Sequence, residues 1–377
     1  MILDIERVAH GGVCVAHAPD GRVVFVRHTL PGERVRVAVT KERRSYLRAD
    51  AVDVLESAAS RVAPPCPWAG PAKCGGCDWQ HVDLAAQRLL KAAVVKEQLQ
   101  RLARIDREVV VEAAPGDDDG LRWRTRMRLA VDGEGRAGLR RHRSHEVVPI
   151  DDCLIAVSGA RVPDVVERDW PPDHEVVVDV SNTGERAVAI GEPEELLTEQ
   201  AAGRSWLVPI GGFWQVHPAA ADLLAAAVVD DARPTGDDRC VDLYSGVGLF
   251  AGTLASRAKA VTAVESDARA VAAAERNLAE DGNVEVVRDR VDRWLRRAST
   301  PADVIVLDPP RKGAGREVVD GIVARSPRVV VYVACDPAAL ARDVATFAGH
   351  GYALRSLRAF DLFPMTAHVE CVARLTR

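Results

Sequence analysis

Two side chains near the C-terminal end of the chain are of the types that carry out nucleophilic catalysis. Cys335 is followed by Asp336 and Pro337, which predict a helix start because aspartate caps a helix and proline fits its first turn. The dipole of such a helix favours a thiolate, so we expect a lowered pKa for Cys335. Glu370 lies on the last predicted strand. Cys335 and Glu370 form a candidate pair of nucleophile and general base, although Cys335 taken alone could also be a packed core thiol.

A second set of residues has the chemistry of a nucleotide-binding site. The segment Asp242-Leu-Tyr-Ser-Gly-Val-Gly248 is a glycine turn after a short apolar strand, where a ligand can approach the backbone closely. Glu265 ends the next strand, and its carboxylate can accept hydrogen bonds from ribose hydroxyls. Asp308 precedes two prolines, which form a rigid turn and direct it towards the same cleft. NAD-binding proteins have similar turns, so these residues alone leave the nucleotide open.

The spacing of the apolar segments places these chemical groups at the ends of strands. From residue 239 onward, strands and helices alternate, which predicts an α/β sheet with mainly parallel strands. Such sheets bind ligands at the carboxyl ends of their strands, so the thiol, the glycine turn and the carboxylates should meet at one edge. We predict strands at 240–244, 260–264, 284–287, 304–307, 329–333, 352–360 and 369–375, and helices at 84–103, 268–279 and 337–348.

Four cysteines have a spacing that suggests metal binding. Cys74 and Cys77 flank two glycines that permit a tight turn, Cys66 precedes them, and Cys153 follows far downstream. Four thiolates can hold a tetrahedral zinc ion or a [4Fe–4S] cluster. Structural zinc usually pairs two Cys-x-x-Cys motifs, and this set contains only one. An iron–sulfur cluster is therefore the favoured prediction, with zinc or free packing thiols as alternatives.

Basic residues are concentrated in two stretches. The first 57 residues predict four or five short strands of a small β-barrel, with a basic cluster between Arg34 and Arg48 that includes Tyr46. Further along, arginines recur at every second position and should share one face of a strand, with two more on the return strand of a hairpin. Such a surface suits nucleic acid, with a solvated charged face as the alternative. These arginines are Arg122, Arg124, Arg126, Arg128, Arg140 and Arg141.

Length and composition define the broad class of the protein. The 377 residues predict two or three domains, and 47% hydrophobic with 28% charged residues exclude a disordered or fibrous chain. The net charge is −5, so the argument for a nucleic-acid partner rests on the local clusters. The chain has no long apolar run, its N-terminus is charged, and eight cysteines fit a reducing compartment. We therefore expect a cytoplasmic protein that does not contact membranes.

Together the motifs resemble the class I S-adenosylmethionine-dependent RNA (uracil-5-)-methyltransferases, in the branch with a TRAM domain and an iron–sulfur cluster. The resemblance covers nearly the whole chain and implies three domains. These are a TRAM or OB-like small β-barrel at 1–57, a central α+β domain with the cysteine cluster at 58–208, and a Rossmann-like α/β methyltransferase domain at 209–377. The motifs are Leu30-Pro-Gly-Glu33, the four cysteines, Phe213-Trp-Gln215, the glycine turn, Asp308-Pro-Pro-Arg311, Cys335-Asp-Pro-Ala-Ala-Leu-Ala-Arg342 and Phe363-Pro-Met-Thr-Ala-His-Val-Glu370.

The resemblance also implies roles for individual residues. Cys335 matches the nucleophile that adds to C6 of uracil, and Glu370 matches the base that removes the C5 proton. The implied partner is ribosomal or transfer RNA, bound by a monomer, with the target base out of its stack. His217 and Leu249 stand where the family usually has asparagine, so two rivals remain: a non-catalytic RNA-binding protein with this fold, and an amino-group methyltransferase that uses Asp-Pro-Pro. The residues that match S-adenosylmethionine contacts are Gln215, Tyr244, Gly246, Glu265 and Asp308.

Overall fold

The N-terminal region of the protein, in a computed structural model that describes residues 1–297 and 301–377, is one six-stranded sheet. Its strands are β1 (Ile2–Asp4), β2 (Arg7–Ala9), β3 (Val13–His17), β4 (Val23–Arg27), β5 (Arg34–Glu42) and β6 (Tyr46–Glu56). They are arranged in the order β1-β5-β6-β4-β3-β2. Every second residue of β4 is buried, so Val24 and Val26 face the core. The small barrel-type β fold expected for this region is confirmed.

A long helix connects this sheet to the rest of the molecule. The helix α1 (Leu84–Gln98) begins after Asp83, whose side chain caps its first turn, and continues as a π-helical segment over Leu99–Ala103. Val94 packs into the core of the N-terminal sheet, whereas Val95 packs into the core of the C-terminal sheet. The predicted helix therefore exists, and it joins the two cores.

The central region contains an antiparallel sheet and a hairpin. Its elements are β7 (Val111–Ala113), β8 (Arg126–Val131), β9 (Ala137–Arg140), β10 (Val147–Pro149), a 3₁₀ turn (Ser158–Ala160), α2 (Val162–Val166), β11 (Glu175–Val180), β12 (Arg186–Ile190), β13 (Leu196–Ala201) and β14 (Arg204–Pro209). Five strands form a sheet in the order β10-β9-β8-β11-β12, and β13 pairs with β14. However, β7 joins the C-terminal sheet. The assignment of the whole segment 58–208 to a separate domain is therefore wrong for residues 111–113.

The C-terminal region is an eight-stranded sheet covered by helices on both faces. Its elements are α3 (Ala220–Ala232), β15 (Arg239–Leu243), α4 (Leu249–Ala255), β16 (Ala260–Glu265), α5 (Ala268–Asn277), β17 (Val284–Arg288), α6 (Val291–Arg297), β18 (Val304–Leu307), α7 (Arg316–Val323), β19 (Val329–Ala334), α8 (Pro337–Gly349), β20 (Ala353–Asp361) and β21 (Glu370–Thr376). Alternate residues of the strands belong to two hydrophobic clusters, one packed on α3, α4 and α5, the other on α6, α7 and α8. The predicted α/β fold is confirmed.

The strand order of this sheet creates a crevice for a ligand. The order is β17-β16-β15-β18-β19-β21-β20-β7, and the five strands from β17 to β19 are parallel. The chain moves outward from β15 to β17 and then returns to the other side of β15 with β18. Ligands of open α/β sheets bind at such a reversal, beyond the carboxyl ends of the strands. Within the described ranges, no helix is long and apolar enough to span a membrane.

Candidate active site

The carboxyl ends of the parallel strands border a cavity of about 740 Å³. Cys335 follows the last residue of β19, and Glu370 is the first residue of β21. Because β21 runs antiparallel to β19 and Ala334 pairs with Cys371, the next residues, Cys335 and Glu370, lie side by side at this edge. The cavity brings together all seven residues predicted for catalysis or cofactor contact: Gln215, Tyr244, Gly246, Glu265, Asp308, Cys335 and Glu370.

The environment of the thiol and of the two nearest carboxyls disfavours their ionised forms. Burial raises the pKa of Cys335 to about 12, with further contributions from Glu370 and Asp308, while Arg311 lowers it. Burial, reinforced by Asp308, raises the pKa of Glu370 well above its usual range, and burial raises the pKa of Asp308 to about 7. The expected lowering of the Cys335 pKa is wrong, because loss of water around the sulfur outweighs the helix dipole. A raised pKa makes a carboxylate a stronger base, and in its ionised form it can take a proton from the substrate.

The turn after β15 has the geometry of a ligand-binding loop. Tyr244 adopts a left-handed backbone (φ 63°), a strained conformation that is common at functional sites. A Cβ on Gly246 would meet no atom within 4 Å, so this residue faces open space, and its N–H donates to Glu265 Oε2 at 3.0 Å. Gly248 caps α4 at φ 97°, where a Cβ would lie 2.7 Å from Leu278. The open space and the acceptor oxygens of Glu265 fit the nucleoside part of S-adenosylmethionine.

The four cysteines predicted to bind metal lie close to one another. Burial raises the pKa of Cys77, and the neighbouring thiols of Cys153, Cys74 and Cys66 raise it further. The N–H of Gly76 donates to Cys74 Sγ at 3.4 Å. Across residues 1–297 and 301–377, however, no group of three or more His, Cys, Asp or Glu side chains is arranged to hold a metal ion. In the described part of the chain, the four cysteines are therefore neighbours whose side chains are not arranged around a common metal ion.

The segment 74–77, which we call the cysteine loop, forms part of the rim of the cavity. The N–H of Gly75 donates to the C=O of Arg140 at 3.1 Å. The backbone of Cys74 pairs with that of Arg141 in an isolated antiparallel β-bridge. A Cβ on Gly75 would lie 2.4 Å from the backbone nitrogen of His142, so only glycine fits here. The adjacent Gly76 lines the cavity. The loop therefore lies between the arginine-rich hairpin, which is formed by β8 and β9, and the active-site edge of the C-terminal sheet.

The arginines of the central region do not share one surface. β8 begins at Arg126, so the two preceding arginines of the series lie outside the strand. Arg126 is buried and donates to Asp179 Oδ2 at 2.9 Å and to Glu199 Oε1 at 3.3 Å. The expectation of four guanidinium groups on one strand face is therefore wrong. Two buried carboxylates require a paired cation, and Arg126 supplies it.

The other five predicted arginines are partly or fully exposed. Arg124 and Arg128 line the cavity, and Arg128 also donates to the C=O of Gly211 at 2.7 Å. Arg128 also pairs with Glu175 at 3.7 Å. Arg124 and Arg128 therefore place positive charge near the reaction centre. The remaining three form ion pairs towards the surface: Arg122 with Asp152, Arg140 with Glu175, and Arg141 with Glu146.

Several aromatic residues lie at or near the cavity, and the sequence analysis did not predict a role for them. The ring centroid of Trp123 lies 6.1 Å from that of Phe363, and Phe363 lies 5.9 Å from His368. Phe213 lines the cavity and is 69% exposed. The position of Trp123 between two arginines of the series could have predicted an aromatic residue at this site, because nucleic-acid surfaces often combine basic and aromatic side chains.

The two departures from the family pattern are packing residues. His217 is buried, its ring stacks on Trp123, and its Nδ1 accepts a hydrogen bond from the N–H of Ala219 at 3.2 Å. Burial lowers the pKa of His217 to about 4. Leu249 is the first residue of α4 and belongs to the hydrophobic core. Neither His217 nor Leu249 lines the cavity.

Comparison with known families and proteins identifies the relatives of this chain. The sequence model of the tRNA (uracil-5-)-methyltransferases matches residues 213–377, and that of the TRAM domain matches residues 2–52. A protein of Streptomyces avermitilis named as an RNA methyltransferase is 47% identical, over 99% of this chain and 97% of that protein. An RNA methyltransferase of Streptomyces coelicolor is 46% identical, over 99% and 92% of the two chains.

A solved structure has the same architecture over its whole length. It is the tRNA (uracil-54, C5)-methyltransferase of Pyrococcus abyssi in complex with S-adenosyl-L-homocysteine, with a TM-score of 0.75, 22% identity and full coverage of both chains. At this level of identity the match establishes a shared fold. With the two sequence models and the Streptomyces relatives, it follows that the chain belongs to the tRNA (uracil-5-)-methyltransferase family of S-adenosylmethionine-dependent RNA methyltransferases, with a TRAM domain at its N-terminus.

Proposed function

We propose that the protein forms 5-methyluridine in ribosomal or transfer RNA through a covalent bond between Cys335 and C6 of the target uracil. The observation that carries this proposal is the side-by-side position of Cys335 and Glu370 at a cavity that also contains the glycine turn and Glu265. An amino-group methyltransferase acting through Asp-Pro-Pro would need no thiol at this place.

The chemistry requires both groups because C5 of uracil is a poor nucleophile. The thiol of Cys335 gives up its proton, which Asp308 can take, and its sulfur bonds to C6, so that C5 becomes the nucleophilic carbon of an enolate. S-adenosylmethionine, when bound, supplies the methyl group that C5 receives. In its ionised form, Glu370 then takes the proton from C5, the C5–C6 double bond forms again, and the bond between C6 and sulfur breaks. The released thiolate regains its proton from Asp308. Arg311 favours the ionised forms, because its charge lowers the pKa of Cys335 and of Glu370.

We propose that the cofactor is held by five residues at the end of the sheet. Glu265 would accept hydrogen bonds from the ribose, and Gly246 would allow the ligand to approach the backbone. The strained backbone of Tyr244 fits a loop that is fixed for binding. The full set is Gln215, Tyr244, Gly246, Glu265 and Asp308.

We propose that RNA reaches the cavity across the rim formed by the hairpin and the cysteine loop. Arg124 and Arg128 are placed to contact phosphates next to the target nucleotide. The exposed ring of Phe213 can stack on a base that has left the RNA stack. Arg126 is excluded from this surface by its buried ion pairs. Arg122, Arg140 and Arg141 would extend the binding surface outward.

We also propose that Cys66, Cys74, Cys77 and Cys153 hold a [4Fe–4S] cluster that stabilises the rim loop. Their mutual proximity supports this, and so does the hydrogen bond from Gly76 to the sulfur of Cys74, because such bonds tune iron–sulfur sites. The protein purified without oxygen should be brown and contain about four iron atoms per chain. Cys153→Ser should lose the iron, whereas Cys14→Ser should keep it. A colourless protein with one zinc ion would contradict the cluster.

The reaction itself is tested with RNA that contains 5-fluorouridine. Fluorine at C5 cannot leave as a proton, so the covalent complex between Cys335 and C6 should persist on a denaturing gel. Cys335→Ala should form neither this complex nor 5-methyluridine, because the bond-forming sulfur is absent. Cys240→Ala is the matched control: this thiol is buried in β15 and does not line the cavity, so both activities should remain.

The same assay separates the two rival functions. Methylation by Cys335→Ala at the rate of the original protein would contradict the covalent mechanism and favour an amino-group methyltransferase. Calorimetry of S-adenosylmethionine binding tests the other rival. A non-catalytic RNA-binding protein should bind RNA without binding the cofactor and should form no complex with 5-fluorouridine RNA.

A further inference from the structure

A turn of the TRAM domain reaches the loops that carry the proposed catalytic groups. The turn consists of His10, Gly11 and Gly12, between β2 and β3. His10 Nε2 lies 2.9 Å from Oδ2 of Asp336, a residue 326 positions away in the sequence. Asp336 directly follows Cys335. The N-terminal domain therefore touches the segment that holds the candidate nucleophile.

The same turn also contacts the segment that precedes the candidate base. Gly12 has φ 76°, and a Cβ there would lie 2.9 Å from the Cβ of Ala367. Its C=O accepts a hydrogen bond from Trp79 Nε1 at 3.3 Å, which anchors the turn to the central region. Ala367 belongs to the loop between β20 and β21, three residues before Glu370. One turn is thus packed against both active-site loops.

Asp336 connects His10 to the backbone of Cys335. Its Oδ1 accepts a hydrogen bond from the N–H of Ala339 at 2.7 Å and caps α8, while its Oδ2 pairs with His10. Burial opposes ionisation of Asp336, but the hydrogen bonds from His10 and Ala339 lower its pKa overall. On the other side of the thiol, the pairing of Ala334 with β21 fixes the chain. The position of Cys335 is therefore set by the strand on one side and by Asp336 on the other.

We propose that His10 is a positioning residue for Cys335, which it acts on through Asp336, so that the TRAM domain completes the active site. This inference rests on the proposed function. The side chain of His10 is 40% exposed and that of Asp336 is 22% exposed. A pair this accessible adds little to the stability of the fold, so its effect on geometry can be measured separately from folding. Small displacements of a reacting group are enough to slow a reaction strongly.

The test measures the rate of covalent complex formation with saturating 5-fluorouridine RNA, together with the affinity for that RNA. His10→Ala should lower the rate about tenfold and leave the affinity unchanged, because the thiol is misplaced while the RNA surface is intact. His10→Gln should restore most of the rate, since its amide can donate to Asp336. His17→Ala is the matched control, because His17 pairs with Glu6 at 2.6 Å within the TRAM domain. It should leave both quantities unchanged.

A double-mutant cycle tests the route through Asp336. If His10 acts only on this carboxylate, the variant with both His10→Ala and Asp336→Asn should be no slower than Asp336→Asn alone. Additive losses would overturn the inference, and so would an unchanged rate for His10→Ala or a loss confined to RNA affinity. Should His10→Ala fail to fold, Asp336→Asn, in which asparagine still caps α8, should itself slow complex formation. If the original protein forms no covalent complex, the proposed function fails instead.

Discussion

The edge of the C-terminal sheet and the surroundings of Arg126 in the arginine-rich hairpin both bury acidic side chains, but they do so in different ways. At the sheet edge, Glu370 and Asp308 lie close together, and burial raises the pKa of each. Around Arg126, Asp179 of β11 and Glu199 of β13 are also buried, and burial raises the pKa of each, but both accept hydrogen bonds from Arg126. The first pair faces a cavity, and the second is enclosed by protein.

This difference separates a reactive site from a structural one. A buried carboxyl without a hydrogen-bonded cation binds a proton firmly and can exchange it with a substrate in the cavity. Two buried carboxyls that share a guanidinium group are held in place by its hydrogen bonds, so they fix the packing of the sheet around them. Substitutions in the two regions should therefore have different consequences, one for turnover and the other for folding.

The largest effect is expected at the sheet edge, for Glu370→Gln. Glutamine has the same shape but cannot accept the C5 proton, so turnover should fall about a thousandfold. Because Cys335 can still attack C6, a covalent complex with ordinary uridine RNA should accumulate when S-adenosylmethionine is present. Denaturing gels report the complex, and mass spectrometry reports 5-methyluridine.

Glu280→Gln provides a control for this experiment, because Glu280 is exposed and does not line the cavity. It should turn over at the original rate. Wild-type turnover in Glu370→Gln would show that a different group removes the proton, and Asp308 would then be the next candidate. Loss of turnover without an accumulated complex would mean that Glu370 is needed before methyl transfer.

The sheet edge could be predicted from the sequence because it depends on short apolar segments and on the parallel order of the strands. The strand predicted at 304–307 has these bounds in the structure, and the one predicted at 329–333 ends one residue later. Strands buried on both faces are continuous apolar runs, which are easily recognised. Once they are known to be parallel, their carboxyl ends must share an edge, and the residues that follow them are brought together.

The features that could not be predicted from the sequence depend on contacts between distant parts of the chain. Asp179 and Glu199, which bury Arg126, lie 53 and 73 positions away from it, so its strand-like spacing gave no sign of their presence. β7 pairs with β20, almost 250 positions further on. The pKa of Cys335 is governed by burial and by Glu370 rather than by the adjacent helix. Such effects arise only when the fold is assembled.

The second comparison concerns the hairpin, where Arg126→Met should destabilise the protein. The substitution leaves Asp179 and Glu199 buried without a cation, so the free energy of unfolding should fall by about 3 kcal/mol. Urea denaturation measures this change. If the stability is unchanged, these carboxyls do not depend on Arg126, and the structural interpretation of the buried group is wrong.

Arg128→Met is the matched substitution two residues along the same strand, and its effect should be the smallest. Arg128 is half exposed, lines the cavity and donates to the C=O of Gly211, so its replacement should leave the unfolding free energy nearly unchanged. Loss of one phosphate contact should instead weaken RNA binding and reduce the dependence of log K on log salt by about 1. Binding measured at several salt concentrations detects this. An unaltered salt dependence would place the phosphate contacts on other arginines of the rim, because the slope reports how many phosphates the protein neutralises.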